Sequence, residues 1–264
     1  MWFDEIMDDC KQALQIASKH KGIFVPLLVK GGIYVLTFIV LFITAVGLLV
    51  QYIGDFESIR AGLQDSWMLL VPAVLGAVTL YLFLTAIGTV IEVGSINLYK
   101  LAIDGIQPKI AYFFEGIRKY FFRVFGVTLL IHGIVLILLP LLLALAMVYA
   151  ITIGILTAGW GFVLIAVLAG IYFNLWIIAV VVDDMRPLEA ITTSIKIGRK
   201  YFWGMFILTL SGLMVGDYLV SAFGTLVTLT VGWFIGGVVV TYFKLVFVLV
   251  YRRQKEECTQ VPSI

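Results

Sequence analysis

The sequence predicts an all-α protein: a polytopic transmembrane helical bundle of six spans, built as three parallel two-span repeats with interfacial amphipathic helices. Three observations carry this expectation. Apolar residues make up 62% of the 264 residues and charged residues 13%, where an ordinary globular domain carries about 25% charge. A soluble chain of this length cannot cover so much apolar surface, and disorder, collagen and coiled coil fail on the same figures. The apolar residues also gather into six stretches, 24–51, 67–99, 122–150, 155–181, 202–223 and 233–251, each near the length of about 20 residues that crosses hydrocarbon. Finally, all but Arg60 of the 18 Lys and Arg residues fall on one side of that arrangement. The positive-inside rule then puts both termini in the cytoplasm.

The chain opens Met1-Trp2-Phe3-Asp4-Glu5, acidic where a signal peptide is basic, so the first span is expected to do the targeting. Ahead of it, Trp2, Phe3, Ile6, Met7, Cys10, Ala13, Leu14 and Ala17 share one stripe of a helix and Asp4, Glu5, Asp8, Lys11, Gln12 and Gln15 the other. Such a helix suits the membrane interface. Trp67, Trp160 and Trp233 open the even-numbered spans at the outer interface, and Trp203 opens the fifth at the inner one. Pro140 is expected to kink the third span. Gly232 and Gly236 have the spacing that lets helices approach closely. Cys10 and Cys258 fall on the cytoplasmic side, outside any metal spacing, and are expected to be free thiols.

Self-similarity divides the chain. Residues 118–129 (Arg-Lys-Tyr-Phe-Phe-Arg-Val-Phe-Gly-Val-Thr-Leu) match 199–210 (Arg-Lys-Tyr-Phe-Trp-Gly-Met-Phe-Ile-Leu-Thr-Leu) at seven of twelve positions. Upstream, 104–108 resembles 183–187, and a looser copy begins near Asp8-Asp9. One membrane domain, 1–264, therefore reads as units of about 1–101, 102–181 and 182–251 with a short tail, 252–264. The second amphipathic stripe is Ile106, Ile110, Phe113, Phe114, Ile117 and Phe121; the third is Leu188, Ile191, Ile195 and Phe202. Pro108 and Pro187 sit where a first helical turn tolerates proline. Two readings of the repeat stay open: a duplicated stable hairpin, or a pseudo-threefold arrangement around a central path.

Ionisable side chains at membrane depth are expensive and mark functional sites by default. Lys30, Glu92, Asn174 and Lys244 lie eight or nine residues from the charged edge on four different spans, at a common depth of roughly 12 Å. A structural ion pair from Glu92 to Lys30 or Lys244, a solute or ion site, and snorkelling of the lysines are the three readings of this layer. His132 and Asp217 differ in height by about one turn and form a candidate hydrogen-bonding or proton-relay pair. Asp183-Asp184 reads as a helix-start feature or a cation site. Phe113, Phe114, Arg118, Lys119, Arg199 and Lys200 form a candidate docking face on the cytoplasmic side.

No phosphate loop, dinucleotide fingerprint, HExxH or GxSxG motif occurs. No cofactor, metal centre or nucleic-acid partner is expected, and catalysis has no positive sign. A span ending in Asp-Gly or Asp-Asp, then Pro, an amphipathic segment and Arg-Lys-Tyr-Phe-Trp at the next span resembles a broad group of six-span bacterial and archaeal proteins. That group is similar to the membrane domain preceding some glycerophosphodiester phosphodiesterases. The resemblance implies a six-span fold in a prokaryotic plasma membrane and assigns no site residues; the chain has no room for the phosphodiesterase domain. The leading functional expectation is a non-catalytic component of a transport or envelope complex, working with a protein partner at its cytoplasmic face within the lipid bilayer. Self-association is left open. The rival is a self-sufficient transporter or channel for a small solute or lipid using the polar layer, and a membrane enzyme comes third.

Overall fold

A computed structural model describes residues 2–53, 67–153, 167–172, 175–227 and 233–260. These residues are helical apart from short connections. In chain order they form α1 (Trp2–Lys19), a tight 3-10 turn (Lys21–Phe24), α2 (Val25–Ile53), α3 (Trp67–Ile103), α4 (Ile110–Ile153), α5 (Trp176–Asp183), α6 (Pro187–Lys200), α7 (Phe202–Val227) and α8 (Trp233–Gln260). A further helical stretch covers 167–172.

Four stretches are long and apolar enough to cross a membrane: Lys21–Thr44, Val74–Ile103, Ile110–Leu138 and Ile235–Glu257. Among the described residues, Val167–Asp183 and Phe202–Gly212 are apolar but shorter. These helices fit an integral membrane protein. Their outward faces agree, since Leu36, Ile43, Leu136 and Ile137 are all more than 60% exposed. Side chains of that kind are stable facing lipid, where the helix satisfies its own backbone.

The buried core lies toward the charged end of the bundle. Val93, Ile96 and Tyr99 of α3, Phe113, Tyr120 and Val124 of α4, Ile178 to Val182 of α5, and Leu245 to Tyr251 of α8 pack together there. α3 runs along α4, and α8 touches α1, α2, α3 and α7. Glycine permits two close approaches. A Cβ on Gly94 would sit 2.4 Å from the Phe113 ring, and one on Gly237 would sit 2.0 Å from Leu27 Cδ1. The close approach expected of Gly236 is made by its neighbour, because Gly236 faces open space; Gly232 lies outside the described residues.

The amphipathic segments differ from one another. α1 and α6 are separate helices, and α6 starts with Pro187 in its first turn as the sequence predicts. It ends at Tyr201, whose φ of −115° and ψ of 34° leave the helical region. The second segment is not separate: it continues into the following span as one 44-residue helix, α4. Phe113, Gly116, Tyr120 and Val124 are buried at intervals of three and four residues. One face therefore stays packed across the supposed junction, and nothing breaks the helix there. The helix also continues through Pro140.

Candidate functional site

Inside the apolar length of the bundle, α3 and α4 present polar side chains to each other. Thr85, Thr89 and Glu92 recur at four and three residues, so they line one face of α3. Thr128 and His132 do the same on α4. Together with Gly88, Ile131, Ala169, Gly170, Trp176 and Ile177 they enclose a cavity of about 470 Å³. Thr89 spends its hydroxyl on the Thr85 carbonyl at 2.9 Å. Thr128 Oγ1 is buried and has no hydrogen-bond partner among the described residues. His132 packs its ring against Tyr81 at 5.8 Å between centroids.

Glu92 ties this wall to a third helix. Lys244 Nζ of α8 donates to Glu92 Oε1 at 2.8 Å. Beside the pair lie the buried side chains of Tyr99, Thr241 and Ser95. An ion pair with surrounding hydroxyls is the arrangement that lets opposite charges persist in an apolar medium. Its chemistry suits a small polar solute: a carboxylate, an ammonium group, an imidazole and an unspent hydroxyl lie within or beside one cavity.

At the charged end, carboxylates and cations clamp the helices together. Asp183 accepts from Tyr251 and pairs with Lys255 at 2.8 Å. Asp184 pairs with Lys119 at 3.0 Å and Arg123 at 2.7 Å. The hydrogen bond from Lys119, with that from Arg123, holds the Asp184 carboxyl below its ordinary range. Asp104 binds Arg252 at 2.6 Å, and Glu257 accepts from Tyr201 and faces Lys200 at 3.8 Å. Arg253 reaches back to α1, meeting Asp9 at 3.0 Å and the Glu5 carbonyl at 2.7 Å. Burial raises the Asp9 carboxyl to about 6 against the opposing pull of Arg253.

The sequence-predicted residues now have places. Glu92 and Lys244 meet, and His132 shares the cavity wall with Glu92 rather than standing apart from it. Lys30 sits half-buried on α2. Asn174 lies outside the described residues, as does the side chain of Asp217 on α7. In the expected docking face, Phe113 is fully buried, because its ring fills the space over Gly94. It is a core residue and offers nothing to a partner. Phe114 is 57% exposed, and Arg118, Lys119, Arg199 and Lys200 are exposed. Asp183-Asp184 neither caps α6, whose N-cap is Arg186, nor stands open to a cation, since both carboxylates are engaged. Thr85, Thr89 and Thr128 were not foreseen; the spacing of Thr85 and Thr89 to Glu92 was the available signal. Among the described residues, no group of three or more His, Cys, Asp or Glu side chains is placed to hold a metal. No family model, curated protein or solved structure matches the chain.

Proposed function

We propose that this membrane protein binds and moves a small polar solute through the cavity between α3 and α4, with Glu92 as its central charged group. The observation that carries the reading is the Glu92–Lys244 ion pair at the edge of a cavity whose wall Glu92 shares with His132 and with a Thr128 hydroxyl that has no partner among the described residues. Intramembrane ionisable groups facing a cavity are the usual mark of a solute or proton path. This promotes the solute-handling reading over a component that works only through a partner, since Phe113 is withdrawn from the docking face.

The reading keeps six spans, both termini in the cytoplasm of a prokaryote and three related units. Two local parallels support the units. Phe113, five residues before Arg118, packs on Gly94 of the preceding helix; Ser194, five before Arg199, donates to the Tyr172 carbonyl of its preceding stretch at 2.7 Å. Lys119 of the second unit pairs with Asp184, three residues past its end, and Lys200 of the third pairs with Glu257, six residues past its end. The resemblance to the membrane domain of the phosphodiesterases belongs to the same proposal.

The test uses purified protein in vesicles loaded with a pH-sensitive dye and bathed in a defined mixture of amino acids, polyols and sugars. Wild type should accumulate one of these or change internal pH; Glu92→Gln paired with Lys244→Met should not, while keeping its helical content. Contents identical to those of empty vesicles in every arm would sink the proposal.

A further inference from the structure

A second cavity, of about 570 Å³, lies at the charged end, well separated in sequence from the Glu92 wall. It sits where α6 ends, α7 begins and α8 turns from apolar to charged. Its two walls have opposite character. Phe202, Met205, Leu208 and Val250 form an apolar side. Arg199, Lys200, Arg253 and Gln254 form a polar one.

Gln254 is the decisive residue. It is 1% exposed, and neither its Nε2 nor its Oε1 has a hydrogen-bond partner among the described residues. The adjoining Arg253 Nε is also buried without a partner. A buried amide with both ends unmet is strongly unfavourable unless something else meets them. The groups left over define the complement: N–H donors from Gln254 and Arg253 ask for acceptor oxygens, and the Gln254 carbonyl asks for a hydroxyl.

Charge narrows this further. Two carboxylates, Glu5 and Glu257, also line the cavity, but Glu5 faces Arg253 at 3.7 Å and Glu257 is taken by Tyr201 and Lys200. Asp9 and Glu5 answer Arg253 and Glu257 answers Lys200, which leaves the exposed Arg199 as the lining cation with no carboxylate opposite it among the described residues. Trp203, 63% exposed, stands at the rim at the start of an apolar helix, the position that an indole takes at a membrane interface.

We propose that this cavity holds the headgroup of a monoanionic phospholipid of the phosphatidylglycerol type. The phosphate oxygens accept from Arg253 and Gln254 and face the Arg199 charge. A headgroup hydroxyl donates to Gln254 Oε1, and an acyl chain lies along Met205, Leu208 and Val250. The proposal rests only on the chain being membrane-embedded, and is independent of solute passage through the Glu92 cavity.

The experiment is native mass spectrometry and thermal unfolding of delipidated protein titrated with dioleoyl-phosphatidylglycerol, dioleoyl-phosphatidylcholine or inorganic phosphate. Wild type should keep one phosphatidylglycerol and gain thermal stability from it, and should do neither with phosphatidylcholine. Gln254→Leu should weaken retention by about tenfold or more, as loss of hydrogen bonds to a charged group does. Arg199→Gln, at an exposed position that leaves the fold intact, should weaken phosphatidylglycerol alone. Equal retention of the two lipids, retention unchanged in both variants, or the same stabilisation by inorganic phosphate would each overturn the lipid assignment.

Discussion

Gly94→Ala is the sharpest probe of the packing that holds the candidate site. The added methyl would meet three atoms of the Phe113 ring at 2.4, 2.5 and 2.9 Å. Contacts between unbonded carbons are favourable near 3.5–4.0 Å, so α3 and α4 must part or the ring must leave its position. Phe113 is fully buried and has no open side to turn into. Overpacking of this kind costs about 1–3 kcal/mol. For a chain of this length that lowers the melting temperature by about 2–4 °C per kcal/mol. The companion change Phe113→Leu removes the ring and is expected to cost about 1–2 kcal/mol by itself. In the double variant the methyl occupies the vacated space, so its loss should fall short of the sum by about 1 kcal/mol or more. The assay is thermal unfolding of all four proteins in one detergent, followed by circular dichroism. Strict additivity would refute the contact, and a stable Gly94→Ala with unchanged melting would refute the close approach of the helices.

Other expectations follow from the charged groups. Glu92→Gln leaves the Lys244 ammonium unpaired; with the two side chains 36% and 35% exposed, the loss should fall short of the roughly 3–5 kcal/mol of a broken buried pair; Glu92→Gln with Lys244→Met should regain most of it, and an equal loss in both would refute the pairing. Asp9 has a folded-state value of about 6, above its ordinary 3.8. The folded protein therefore holds the proton more tightly, and this contribution is full below about 4 and disappears as pH rises to about 6. Asp9→Asn should flatten the melting temperature across that window, which a pH series of unfolding scans checks. Asp184 behaves oppositely: its contribution is present at neutral pH and is lost as pH falls through its depressed folded-state value. Because the carboxylate and its cations are about half exposed, Asp184→Asn should cost less than about 1 kcal/mol at neutral pH in the same assay.

The apolar lengths were legible because hydropathy needs no knowledge of partners. Counting residues from the charged edge placed Glu92 and Lys244 at one height, and the structure joins them. Counting cannot say which faces of two helices meet, so the sharing of one cavity by His132 and Glu92 stayed hidden. The same limit misled the reading of Phe113. Its periodicity marks an apolar stripe, but an apolar stripe looks alike whether it covers a partner, lipid or Gly94. The partners of Asp183 were illegible for a different reason: Tyr251 is 68 residues away in sequence, and only the return of α8 brings it there. Nor does the run Arg-Lys-Tyr-Phe reveal its two conformations, an unbroken helix at 118–121 and a break at Tyr201.

That last contrast has a mechanical meaning. α4 is a single strut. From Phe113, seated at the charged end, to His132, in the cavity wall, its 19-residue interval measures about 28 Å without a joint. The Lys119–Asp184 clamp and the cavity beside Glu92 are thus joined by one continuous helix. The similar run between α6 and α7 leaves helical dihedrals at Tyr201, while hydrogen bonds from Tyr201 N to the Ile197 carbonyl and from Met205 N to the Tyr201 carbonyl still bridge the break. Two similar runs of sequence have thus yielded a continuous helix in one place and a break in the other.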